Sequence, residues 1–151
     1  MTRPTLFAFA GGADAFLALA RAHHARCLAD PELNHPFSHE DQHPQHVERL
    51  AAYWAEVLGG PDDFTAHESD QSAMLALHAG NGDMTDLGRR FVACFVQAAD
   101  DAGLPADPDF RAALRAYMEW AVADVLRFSA KGSVVPTGEV LPHWSWDGLQ
   151  Q

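Results

Sequence analysis

PQHVERLAAYWAEVLGGP, residues 44–61, decides the fold class. Pro44 suits a first helical turn, where its missing N–H is not needed. His46, Leu50, Tyr53 and Val57 then recur at helical spacing, while Glu48, Arg49 and Glu56 fall elsewhere. Gly59, Gly60 and Pro61 form a strong stop. The pattern predicts one amphipathic helix over 44–58.

The same period continues upstream. After Gly11 and Gly12, residues 13–29 put Phe16, Leu19, Ala20, His23, Cys27 and Leu28 on one broad face. Asp30-Pro31 ends that helix, because the residue before proline avoids helical dihedrals. Downstream, 61–71 is polar and loop-like. A short apolar piece, 72–78, follows and is broken by Gly80, Asn81 and Gly82. Asp83 can cap a long helix reaching 102, striped by Met84, Leu87, Phe91, Phe95 and Ala98. Asp107-Pro108 opens the last helix, 108–130, with Phe110, Leu114, Tyr117, Ala121 and Val125 inward and Arg111, Arg115 and Glu119 in solvent.

Alternating β-branched runs do not occur, so the expectation is an all-α domain. Its helix lengths are too uneven for a simple four-helix bundle. The broken piece at 72–82 suits a scaffold for a site. The tail, 131–151, carries Trp144 and Trp146 and is expected to pack back on the body.

At 151 residues, 48% hydrophobic, the chain has the size of one domain with a proper core. No run of eighteen apolar residues occurs, so no membrane helix is expected. The first residues lack the basic start and apolar run of a signal peptide, which makes a cytoplasmic protein the default. A net charge of −11 disfavours nucleic acid and anionic membranes, which call for a basic footprint. Cys27 and Cys94 lie on apolar faces without a Cys-x-x-Cys pair, so buried free thiols are expected.

Histidine is the unusual feature: six of nine fall between residues 23 and 46. His35, His39 and His43 read as solvent-washed positions in a polar connection. Alternatively, spacings of three and four residues would put His43 with His46, or His39 with His43, on one helix face as metal ligands. That makes a non-haem metal site in the His23–His46 cluster a second reading. Two prolines nearby argue against a continuous helix there, and no HExxH or paired Glu-x-x-His occurs. His78 ends MLALHAG, the most apolar setting of any histidine, with Met74 and Leu75 one turn earlier on its face. It is either a hydrogen-bonded core residue or a ligand to something apolar.

In order and spacing, AFAGGADAF, DPELNHPFS, HVERLAAYWAEVLGGP and the apolar helix ending in His78 resemble a truncated globin, nearest the subgroup called group II. The resemblance spans about residues 5–130. It implies the two-over-two helical globin fold, with long G and H helices before the tail, and haem b with its iron. His78 matches the proximal ligand of the iron. Phe37 matches the aromatic residue packed on the macrocycle. His24 and His46 fall at the two distal positions, where a bound ligand or an acid–base step would meet them. Leu50, Tyr53, Trp54, Leu75 and Phe91 fall around the pocket, and Arg49 is a candidate partner for a haem propionate.

The implied ligands are O2, CO and NO, with nitric oxide dioxygenase or peroxidase-like chemistry and a reductase partner as extensions. Three departures stand out. Group II members usually carry tyrosine where His24 stands and tryptophan where Phe91 stands. AGNGDM, after His78, lacks the usual proline-phenylalanine pair. Two distal imidazoles allow opposite outcomes, donation to a ligand or occupation of the sixth iron site. The remaining reading is a haem-free helical module whose histidines fill a core.

Overall fold

Gly11 and Gly12 separate two helices rather than opening one. The computed structural model of the protein describes residues 3–33, 45–67, 69–80, 82 and 84–150, except the side chains of Leu77 and His78. Among them run seven helices: α1 (Leu6–Ala10), α2 (Ala13–Ala29), α3 (His46–Val57), α4 (Asp63–His67), α5 (Gln71–His78), α6 (Thr85–Asp101) and α7 (Pro108–Leu126). A two-stranded hairpin follows, β1 (His143–Ser145) and β2 (Gly148–Gln150).

The architecture is the expected all-α globin fold. α2 packs against both α3 and α6, and α6 packs on α7, giving one pair of helices laid on another. The core between them holds Phe16, Leu19, Trp54, Val57, Phe95, Phe110, Leu114 and Tyr117. These are largely the residues that the 3.6-residue period selects.

Capping sets the boundaries. Thr5, Asp70 and Asp107 each accept the backbone N–H three residues on, at 3.1, 2.8 and 2.9 Å. Each such bond stabilises a helix start by about 1 kcal/mol. Gly11 closes α1 in the left-handed region, φ 119°. The LGGP stop has a packing reason beyond its turn. The Phe7 N–H donates to Leu58 O at 2.9 Å, and a Cβ on Gly60 would lie 2.6 Å from the Phe7 ring. Only glycine lets α1 approach the end of α3 so closely.

Several expectations change. α1 is absent from the periodic reading because one helical turn is too short to show a period. α4 forms where a loop was expected. Glu56, expected off the apolar face, is buried and accepts Thr65 N–H at 2.9 Å and Thr65 Oγ1–H at 2.7 Å, while Phe64 enters the core. That partner is tertiary and leaves no local pattern. Among the described residues α3 begins at His46 and α6 at Thr85. Pro44 and Asp83, the expected start and cap, lie outside the described residues.

α7 ends at Leu126 instead of 130, because Phe128 O and Ser129 O accept Gly80 N–H and Gly82 N–H at 2.8 and 2.7 Å. Arg111, expected in solvent, is half-buried and bonds Pro105 O at 2.7 Å and Leu104 O at 2.9 Å across the α6–α7 turn. Ala121 and Val125 are only half-buried; Ala113 and Met118 take the inner positions. The tail pairs Trp144 with Leu149 across its hairpin, a local exception to the helical pattern. Trp144 packs on Tyr117 and Trp120, and Trp146 Nε1 donates to Pro4 O at 2.8 Å.

Candidate functional site

α2 and α3 bring two imidazoles side by side. His24, late on α2, and His46, the first residue of α3, have ring centroids 5.7 Å apart and planes inclined by 60°. Both are half-buried, and His24 Nδ1 and His46 Nε2 are shielded from solvent. Burial pushes the His24 pKa down from its ordinary value, so this ring is neutral at pH 7.

The neighbouring His23 points the other way. It is fully buried, with its ring edge-on to Phe91 at 4.3 Å, Trp54 at 5.4 Å and Phe95 at 5.9 Å. Nε2 lies 3.2 Å from Phe91 O, which can only accept, so Nε2 carries the proton. Nδ1 and Nε2 lie 4.0 and 3.6 Å from Cys27 Sγ. Burial lowers the His23 pKa to about 4, against a smaller upward pull from the Phe91 carbonyl; the nearby His24 adds a further lowering. His23 is therefore a neutral core histidine that locks α2 to α6.

This separates the histidines that sequence spacing had grouped. Adjacent residues on a helix point about 100° apart, and here His23 enters the core beside Phe91 and Phe95 while His24 meets His46. The cluster reading loses His23 for that reason. Among the described residues, no group of three or more His, Cys, Asp or Glu side chains could share a metal ion. His35, His39, His43 and Phe37 lie outside the described residues. Cys27 and Cys94 are buried and free, and burial pushes both thiols up, which makes them poor nucleophiles.

Trp54 packs against both His23 and Phe95, whose ring centroids lie 5.4 and 5.0 Å away. Phe91 is half-buried and packs beside Cys27, Leu33 and Cys94 as well as on the main core. Leu50 and Arg49 are half-buried on α3, and Leu75 is buried on α5. His78 is the last residue of α5; its side chain lies outside the described residues.

Two polar residues at the start of α5 escaped the sequence reading. Gln71 is buried and accepts the Tyr53 hydroxyl at 2.7 Å. Ser72 donates to Pro136 O at 2.8 Å and accepts Glu139 N–H at 2.9 Å. The available signal was a polar pair at the head of an otherwise apolar helix. Asp30, which ends α2, accepts Glu32 N–H at 2.8 Å and Arg90 Nη1–H at 3.1 Å, fixing the chain where it leaves for residues 34–44.

Residues 5–124 match the family described as bacterial-like globin. Solved structures of three haemoglobins are similar. The haemoglobin of the thermophilic phototrophic bacterium Chloroflexus aurantiacus aligns with TM-score 0.68 and 21% identity, over 82% of this chain and 98% of that one. The thermostable haemoglobin of the actinobacterium Thermobifida fusca gives 0.64 and 25%, over 90% and 100%. The group II truncated haemoglobin of Bacillus anthracis gives 0.68 and 18%, over 93% and 100%. No curated protein matches.

Proposed function

This chain belongs to the bacterial-like globin family, and from that membership we propose that it holds haem b with His78 as the protein ligand to iron. The observation that carries the ligand-binding side is the His24–His46 pair, two half-buried imidazoles on α2 and α3, each with one ring nitrogen shielded from solvent. The residues present fit the group. One histidine ends the apolar α5, and half-buried Leu50 and Phe91 and buried Leu75 supply apolar surroundings near the expected site. A single neutral imidazole is the usual proximal ligand of a globin.

Haem, once bound, supplies an iron that takes O2, CO or NO. His24 and His46 then orient that ligand, each able to present an N–H to developing negative charge. Half-buried imidazoles also suit proton transfer in peroxide or nitric oxide chemistry, with a reductase as electron donor. Phe37 and Arg49 would help to hold the haem, the first against the macrocycle and the second at a propionate. Trp54 is the wall behind. Residues 1–151 act as one haem-binding unit with the 131–151 tail packed on it. The unit works in the cytoplasm, away from nucleic acid. Among the described residues, no helix is long and apolar enough to cross a membrane.

An absorption spectrum of protein supplied with hemin, ferric and dithionite-reduced, with and without CO, tests this. The expected result is a Soret band that shifts with CO and is lost in His78→Ala. Protein that stays colourless after hemin treatment overturns the haem reading. An unchanged spectrum in His78→Ala overturns the ligand assignment alone.

A further inference from the structure

The helix that ends in His78 is eight residues long, too short to hold itself in water. Its placement depends on what ties it down. At its head, Ser72 Oγ donates to Pro136 O at 2.8 Å and accepts Glu139 N–H at 2.9 Å. Just past its end, Gly80 N–H and Gly82 N–H donate to Phe128 O and Ser129 O at 2.8 and 2.7 Å. All four partners come from the segment that follows α7, and the family match stops at residue 124, before any of them. The segment from 128 to 139 thus grips α5 at both ends, with chain that the family pattern does not cover.

We infer that residues 128–139 are a positioning element for the proximal helix. They fix where α5 sits and so set the strength and geometry of the bond between its terminal histidine and haem iron. This rests on His78 being that ligand. A functional group needs its support within about 0.5 Å, and partners that orient a metal ligand commonly govern metal affinity. Ser72 is the hinge of the device because one hydroxyl makes both bonds to the tail. It lies six residues from His78, about 9 Å along the helix, so its substitution reaches the ligand only through the helix.

The test uses the hemin-loaded full-length protein. Ser72→Ala deletes both bonds, Ser72→Thr keeps the hydroxyl, and Glu139→Pro removes the same N–H from the tail side. The readouts are the iron–imidazole stretching band of the ferrous protein by resonance Raman and the rate of hemin loss to an excess apoglobin acceptor. Ser72→Ala and Glu139→Pro should displace the band and release hemin about tenfold faster, the lower end of what losing an orienting partner costs a metal site. Ser72→Thr should restore both values.

An unmoved band and rate in whichever of Ser72→Ala and Glu139→Pro folds would overturn the inference while leaving the haem reading intact. So would equal displacement in Ser72→Thr, because the hydroxyl would then be irrelevant. A parent protein that takes up no hemin overturns the functional reading, and this inference with it.

Discussion

His23 Nε2 and the carbonyl oxygen of Phe91 meet at 3.2 Å inside the core, and burial of that imidazole, which the contact only partly offsets, predicts an acid-sensitive fold. Burial holds the imidazole pKa at about 4, against 6.5 in an unfolded chain. The folded value is depressed, so the unfolded state takes up the proton first as pH falls. Stability from this group is fully present above pH 6.5 and is lost progressively down to about pH 4. The span corresponds to about 3 kcal/mol as an upper figure. Denaturant melts at pH 7 and pH 4.5 should show the parent losing more stability than His23→Phe. Equal losses would show that His23 does not carry this dependence. His24 and Cys27, its nearest polar neighbours, stay in place in both proteins, so the difference isolates His23.

Gly88 marks a close approach of α6 to α7. A Cβ there would lie 2.6 Å from Val122 Cγ1, well inside contact distance. Gly88→Ala should therefore destabilise the fold by about 1–3 kcal/mol through overpacking, despite alanine's better helix propensity. Combining it with Val122→Ala should recover part of the loss. If Gly88→Ala raises the melting temperature, the close approach of these helices is wrong.

Tyr53 joins α3 to α5 through its hydroxyl, 2.7 Å from Gln71 Oε1, with both side chains buried. Tyr53→Phe keeps the ring on Phe64 but leaves the amide oxygen without that donor. The expected cost is about 1–3 kcal/mol, the penalty for an unsatisfied buried acceptor. Tyr53→Phe combined with Gln71→Leu should cost less than the sum of the two single changes. Strict additivity in that cycle would mean the two residues do not interact.

How much of this was legible depends on where the information resides. The helices α2, α3, α6 and α7 announce themselves, because residues such as Phe16, Leu50, Phe95 and Leu114 recur with the helical period. The pairing of His24 with His46 was implied by resemblance alone; no spacing rule connects positions on two helices. His23 looked like one more member of a histidine cluster. Its partner, the Phe91 carbonyl, is a backbone atom on another helix, invisible to any side-chain pattern. The same holds for α4, which Glu56 stabilises from outside, and for the end of α7, beyond which the Phe128 and Ser129 carbonyls bond Gly80 and Gly82. Local signals fixed the elements; long-range hydrogen bonds fixed their ends and the role of each polar side chain.

The neighbouring rings of His24 and His46 make the last prediction a coupled one. Their centroids are 5.7 Å apart, so either can compensate in part for the other at a small ligand between α2 and α3. A hydrogen bond to a charged acceptor contributes about 1.5–3 kcal/mol, and about 1.4 kcal/mol is a factor of ten in an equilibrium constant. His24→Leu and His46→Leu should each speed O2 dissociation by roughly tenfold or alter the ferric spectrum. The double variant should depart from the product of the two, because neighbouring groups acting on one ligand are not independent. If a distal imidazole instead occupies the sixth iron position, its removal should convert a six-coordinate ferric spectrum to a high-spin one and speed CO binding. The direction of the change identifies the role of each ring. Parent-like spectra and rates in both single variants and the double would remove His24 and His46 from the ligand site altogether.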